Sequence, residues 1–252
     1  MRICSLFAIV VAAAAVAAGC GGTNGTRTRA TQPPVHRRVC RPAYHAYRND
    51  RVAWAAIVRE HTVARRRPGG GALAAFGKRN VNGVPTVFSI RGARVDKSCA
   101  PVWYLVQLPI RPNGTTGWVR AADVTVASVR TRIDVDLSAR RLTLFRSGRP
   151  VLTATVAIGS DATPTPTGRF YVNQRLVPDD PSGPYGPGAV GVSAFSNVLT
   201  GWTQGGPIAI HGTDEPSSIG HAVSNGCIRL PNAILKRVFA QALAGTPVTI
   251  HA

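Results

Sequence analysis

Alternation of polar and apolar residues is the clearest pattern in the second half of the chain. Over Arg132 to Leu137 the two kinds take turns, as on a strand with one buried face. Ser138-Ala139 interrupts the run and Arg141-Leu-Thr-Leu-Phe resumes it, so the two predict a hairpin. Ser147-Gly148 turns the chain again, into a strand at Val151 to Ile158. Arg169-Phe-Tyr-Val follows a Pro- and Thr-rich loop at 162–168, and Pro207-Ile-Ala-Ile is a short apolar strand that ends at His211. Between them, residues 178–191 hold many Pro and Gly and predict a long surface loop near a site. A convincing helical period occurs once in this half: Ile234, Leu235, Val238, Phe239 and Ala242 share a face. Pro231 suits the first turn of that helix and Gly245 its end. Val248-Thr-Ile closes the chain as a strand.

The first half is patterned differently. Residues 21–39 are Gly, Thr, Asn, Arg and Pro with few apolar positions, which predicts a flexible tether. A helical piece is expected around Ala53 to Val63. Residues 70–126 carry short β-rich runs between Gly, Pro and Asn turns: Val84-Pro-Thr-Val-Phe-Ser-Ile, Trp103-Tyr-Leu-Val-Gln-Leu and Gly117-Trp-Val. The last two runs, joined through a turn into Gly-Trp-Val, resemble bacterial SH3-like domains; an unrelated β appendage is the alternative.

Composition narrows the setting. Hydrophobic residues make up 44% of the 252, enough for an ordinary core, and aromatics only 6%. Lys+Arg number 30 against 11 Asp+Glu, a formal charge of +19, and almost all the bases are Arg. Such a balance points to a polyanion, either nucleic acid or an anionic envelope. The first residues favour the envelope. Met1-Arg2 precedes an apolar run from Ile3 to Ala18, and Ala17-Ala18-Gly19-Cys20 follows, as at a secretory processing site. The run is short for a spanning helix. Small residues ending on a Cys resemble a lipobox, which implies a lipoprotein signal at 1–19, lipid on Cys20 and a membrane anchor. An exported protein does not meet the chromosome, so no nucleic-acid partner is expected. Of five cysteines, Cys4 leaves with the signal. Cys40 and Cys99 are expected to pair in a compartment that permits disulfides, and Cys227 remains alone.

That lone thiol sits in the most informative stretch, residues 210–230. A thiol attacks as thiolate, and an imidazole is its usual activator. Cys227 follows His211 by sixteen positions, too far for a helical turn but suited to two elements joined by a loop. Gly226 permits close backbone approach, and amides beside Cys227 could hold an oxyanion. Gly212 leaves its carbonyl open to orient the ring. Other readings are a buried inert Cys227, a core His211 and a zinc site of Cys227, His211 and His221, which lacks a fourth ligand. His221 is expected to be structural or solvent-facing. Tyr185, Phe195 and Trp202 suit packing, with a substrate role open because of the nearby loop.

His-Gly-Thr at 211–213, then Ser-Asn-Gly-Cys-Ile-Arg at 224–229, resembles the L,D-transpeptidase catalytic domain. The likeness covers about Arg132 to His251 and includes Thr163-Pro-Thr-Pro-Thr-Gly. It implies a cell-wall enzyme with Cys227 as nucleophile, His211 as base and acid, and the Gly212 backbone orienting His211. Amides around Gly226 and Cys227 would hold the oxyanion, with Ser224 and Asn225 shaping the loop. Arg229, Thr213 and Tyr185 would face substrate. Many members carry His where Asn225 stands, so any secondary role there is in doubt. The implied substrate is a peptidoglycan tetrapeptide stem and the product a 3→3 cross-link. Acylation by carbapenems is implied, and no cofactor or metal is required. The expected fold is mainly β: signal 1–19, tether 20–39, SH3-like module 40–128 and catalytic domain 130–252 with one late helix. An L,D-carboxypeptidase, a protein-anchoring transpeptidase and a non-catalytic wall-binding lipoprotein are the alternatives. Arg-rich surfaces would favour anionic wall polymers as partners.

Overall fold

In a computed structural model, the described residues are Cys40, 43–47, 51–201 and 206–252. The leader at 1–19, Cys20, the tether at 20–39 and Trp202 lie outside them. The first half contains β1 (Tyr44–Ala46), β2 (Ala53–Val58), β3 (His61–Arg65), β4 (Ala72–Gly77), β5 (Val87–Val95), β6 (Pro101–Gln107), β7 (Thr116–Arg120) and β8 (Val124–Val129). They form one sheet in the order β4-β3-β7-β6-β5-β2-β8, with β1 beside β5. Every pair in it is antiparallel. Cys40 and Cys99 are joined by a disulfide that ties the start of the described chain to the turn between β5 and β6.

Ala53 to Val63, expected as helix, is β2, a bend at 59–60, and β3. The reason is non-local. β2 is paired on both edges, by β5 and β8, and Ala55, Ala56 and Val58 are buried. Ala55 and Ala56 point to opposite faces and both are buried, so the strand loses its alternation. Its alanines then read as helix, and the ladder overrides that weak preference.

The second half contains β9 (Thr131–Asp136), β10 (Arg141–Arg146), β11 (Arg149–Thr155), β12 (Ile158–Gly159), β13 (Gly168–Leu176), β14 (Ala189–Phe195), β15 (Pro207–His211), β16 (Ala222–Ser224), β17 (Ile228–Arg229), α1 (Asn232–Gln241) and β18 (Pro247–His251). Eight of the strands form a mixed sheet, β11-β10-β9-β18-β13-β14-β15-β17, and β12 pairs β16 separately. The β9–β10 hairpin forms as expected, its turn held by Asp136, whose carboxylate accepts the Ala139 amide at 2.8 Å. Ser147 and Gly148 both take positive φ, 51° and 83°, which is the two-residue turn that matches strand twist. The late helix is α1. Pro231 stands at its N-cap, and Leu235 and Val238 enter the core.

The two sheets belong to one compact unit, residues 38–252. Polar side chains stitch them together. The Tyr171 ring is fully buried and its hydroxyl donates to Val87 O at 3.2 Å. Asn80 and Asn82 both donate to Gln174 Oε1, at 2.8 and 2.9 Å. Asn113 exchanges two hydrogen bonds with the Phe195 backbone, as a strand neighbour would. Gly245 lies where the halves meet, and a Cβ there would stand 2.4 Å from that of Ala55.

Candidate active site

The site is built on β15 and β17, which run parallel. Their register pairs Ile210 with Ile228 and His211 with Arg229, so Cys227 falls beside Ala209. Ile208, Ile210, Ile228 and Leu230 face the core and are buried. Each such side chain contributes about 1.5–3 kcal/mol, so the strand pair is held firmly from behind. Ala209, His211, Cys227 and Arg229 take the opposite face by alternation. One strand spacing and two residues of rise put the Cα atoms of His211 and Cys227 roughly 8 Å apart, a gap that imidazole and thiol span together.

His211 is buried, and its Nδ1 lies 2.6 Å from Gly212 O. A carbonyl only accepts, so Nδ1 carries the proton and Nε2 keeps a lone pair. Burial pushes the imidazole down to about 4; the Arg229 charge acts the same way, and the Gly212 bond and Asp214 oppose it. Burial likewise pushes the Cys227 thiol up, against the Ala209 amide and Arg229. That amide donates to Sγ at 3.4 Å. The resting pair is therefore a neutral thiol and a neutral imidazole with a free basic nitrogen.

Three neighbours fix the Gly212 carbonyl. The Gly212 amide donates to Tyr185 O at 2.9 Å, and the Thr213 amide donates to Asn232 Oδ1 at 2.8 Å. Gly186 packs against the same turn at φ +59°, where a Cβ would meet Asn232 Oδ1 at 2.4 Å. The expected surface loop thus ends by clamping the His-Gly-Thr turn, and its last residues, Ala189 to Gly191, belong to β14.

The nucleophile turn is braced from within. Ser224 Oγ donates to Cys227 O at 2.6 Å and accepts the Gly226 amide at 3.1 Å. Gly226 needs its φ of +106° to make this bend. The Pro-Thr-Pro-Thr loop lies alongside: Thr163 Oγ1 donates to Ser224 O at 2.9 Å, as does the Ser160 amide. One expectation is corrected here. The Gly226 N–H is occupied by Ser224 and is not open to an oxyanion. The Cys227 N–H has no protein acceptor among the described residues.

The sequence comparisons fall on this half. Residues 130–250 match the L,D-transpeptidase catalytic domain family, YkuD. The chain is 39% identical over 119 residues to L,D-transpeptidase YkuD of Bacillus subtilis, covering 47% of this chain and 65% of that protein. The YkuD protein of Bacillus licheniformis is also 39% identical over 119 residues, 64% of its length. The chain thus spans just under two thirds of the curated relatives it matches. Among solved structures, the Enterococcus faecium L,D-transpeptidase is 27% identical, with a TM-score of 0.38, over 48% of this chain and 49% of that one.

The matched segment, residues 130–250, holds both His211 and Cys227, and the structure sorts the other expected residues around them. Arg229 pairs with Glu215 at 2.9 Å and exchanges backbone bonds with Ala157, so part of its function is to brace the turn. Thr213 is corrected as a substrate contact. It is 2% exposed, and its hydroxyl accepts the Glu215 amide at 3.0 Å; it shapes the turn from inside. Tyr185 is 51% exposed with its ring edge-on to His211, centroids 5.0 Å apart, and Asn225 is exposed beside the nucleophile. His221 is exposed on a separate turn, and no three metal-binding side chains cluster among the described residues. Asn232 and Ala209 went unread in the sequence. The Asn after Leu230-Pro231 is a signal for Asn232, a polar residue at a helix start; Ala209 acts through its backbone and carries none.

Proposed function

We propose that the chain is an exported peptidoglycan L,D-transpeptidase that forms 3→3 cross-links through a Cys227 thioester. The observation that carries this reading is the His211 Nδ1 bond to Gly212 O, which leaves Nε2 as a base on the same face as the thiol. Cys227 gives its S–H proton to Nε2 as sulfur attacks the carbonyl of the third stem residue. The Cys227 amide is the donor left to receive the oxyanion. Collapse breaks the C–N bond to the terminal D-Ala, and the imidazolium returns its proton to the departing amine. A neutral side-chain amine of a second stem then attacks the thioester and loses a proton to Nε2, and the leaving sulfur recovers it. Tyr185, exposed beside His211, offers a wall for the incoming stem. The leader, lipidated Cys20 and tether would hold the enzyme outside the cytoplasmic membrane, with the first sheet as an SH3-like module.

The test is incubation of the protein and of Cys227→Ala with a purified disaccharide tetrapeptide, read by mass spectrometry. A dimer short of one D-Ala, absent with the variant, is the expected product. A shortened monomer with no dimer would make the enzyme an L,D-carboxypeptidase on this stem. Absence of any Cys227-dependent product would overturn the enzymatic reading and favour wall binding alone.

A further inference from the structure

We propose that the cleft between the two sheets binds an anionic glycan, sugar rings carrying phosphate or carboxylate groups. The cleft has a volume of about 690 Å³, and Arg51, Arg91, Arg132 and Arg169 all line it. No Asp or Glu is among its lining residues within the described chain. Arg91, Arg132 and Arg169 form no ion pair with a carboxylate among the described residues. Arg91 reaches Gln107 instead, and Arg132 lies over the Phe145 ring, its buried Nε without a hydrogen-bond partner. Burial, and then the like charge of Arg169, push the Arg91 guanidinium below its ordinary value. Lining one cleft with three guanidinium groups that no carboxylate among the described residues pairs is costly, and a bound polyanion offsets that cost.

The rings at the mouth narrow the class. Tyr44 and Trp54 line the same cleft and are 49% and 38% exposed. Partly exposed aromatic rings beside arginines suit a ligand whose sugar rings present apolar C–H faces between its charges. A lipid surface is broad and does not enter a cleft of this size. Single-stranded nucleic acid offers the same charge and stacking. The choice of glycan over it rests on the cell-wall reading of the L,D-transpeptidase segment.

The cleft is separate from the thiol. In the sheet, β9, β18 and β13, which line it, stand on one side of β14, and β15 and β17 stand on the other. A glycan held there would keep the enzyme on its polymer with Cys227 still free to react.

Calorimetric titration of the full chain with a heparin-derived hexasaccharide tests the idea, with neutral maltohexaose and a hexathymidylate as comparisons. The hexasaccharide should bind, and binding should weaken steeply as salt rises from about 50 to about 200 mM. Arg169→Gln and Trp54→Ala should each weaken it about tenfold. Arg169 is exposed on β13, so its loss leaves the fold standing, and a melting curve verifies this. Binding should be equal in Cys227→Ala, so that failure of the catalytic reading leaves this result untouched. Equal binding of maltohexaose, tighter binding of the hexathymidylate, or indifference to both substitutions would each overturn the proposal.

Discussion

Acidification should destabilise the protein through His211 by about 3 kcal/mol. The imidazole is buried in the folded chain and held down to about 4, against an ordinary value of 6.5. Between those two values the unfolded chain takes up a proton that the folded chain refuses. Stability from this residue is therefore full above about pH 6.5, falls as the pH drops towards 4, and levels off below it. At about 1.4 kcal/mol per pH unit the window is worth about 3 kcal/mol. For a chain of this size that lowers the melting midpoint by about 6–12 °C. The assay is thermal melting of the protein and of His211→Gln at intervals from pH 8 to pH 4. Gln does not titrate, and the carboxylates held low, Asp96, Asp136 and Asp180, are common to both proteins. So is His251, raised by Asp134. The difference between the two curves isolates His211. Parallel curves would refute the reasoning, because they would mean that the folded protein accepts the proton and that the resting imidazole is not a free base.

Two substitutions probe the turns that hold the reacting pair. In Gly212→Ala the new Cβ would stand 2.2 Å from Asn232 Oδ1 and 2.9 Å from Pro187 Cδ. The backbone must move and take its carbonyl from His211, so D-Ala release should fall by about a hundredfold, with about 1–3 kcal/mol of stability lost; undiminished release from a folded variant would remove that carbonyl from the mechanism. Ser224→Ala strips the partners from Cys227 O and the Gly226 amide and should cost about 1–3 kcal/mol. A melting midpoint within error of the parent would show that water replaces the hydroxyl there.

The elements that could be read from the sequence are those whose signal is local. The β9–β10 hairpin shows itself because one face is buried and the other is not, and α1 because its apolar stripe repeats at helical spacing. β2 and β14 lack that contrast. Ala55 and Ala56, on opposite faces of β2, are both buried, and every residue of β14 but the last is buried, so nothing alternates. Ala189 to Gly191 then passes for the end of a Gly- and Pro-rich loop, and Ala53 to Val58 for helix.

The candidate site divides along the same line. Residue types name the reactive atoms: a thiol beside Gly226, an imidazole beside Gly212. Their nearness, however, is a property of the β15–β17 register, which no spacing of sixteen residues contains. Shifting that register by one residue would send Cys227 to the core face and separate it from His211. Which amides remain open is further from the sequence still. Gly226 beside a nucleophile suggests an oxyanion donor, yet the hydroxyl of Ser224 two residues earlier accepts that N–H, and Ser224 is itself held by the Ser160 amide and the Thr163 hydroxyl of the loop after β12, which both donate to its carbonyl. The motif therefore specifies the chemistry, and long-range packing selects the donors that serve it. For this reason Ser224→Ala is the informative substitution. It frees an amide that the motif alone would have assigned to catalysis, so a slower enzyme after that release would place the contribution of Ser224 in the shape of the turn.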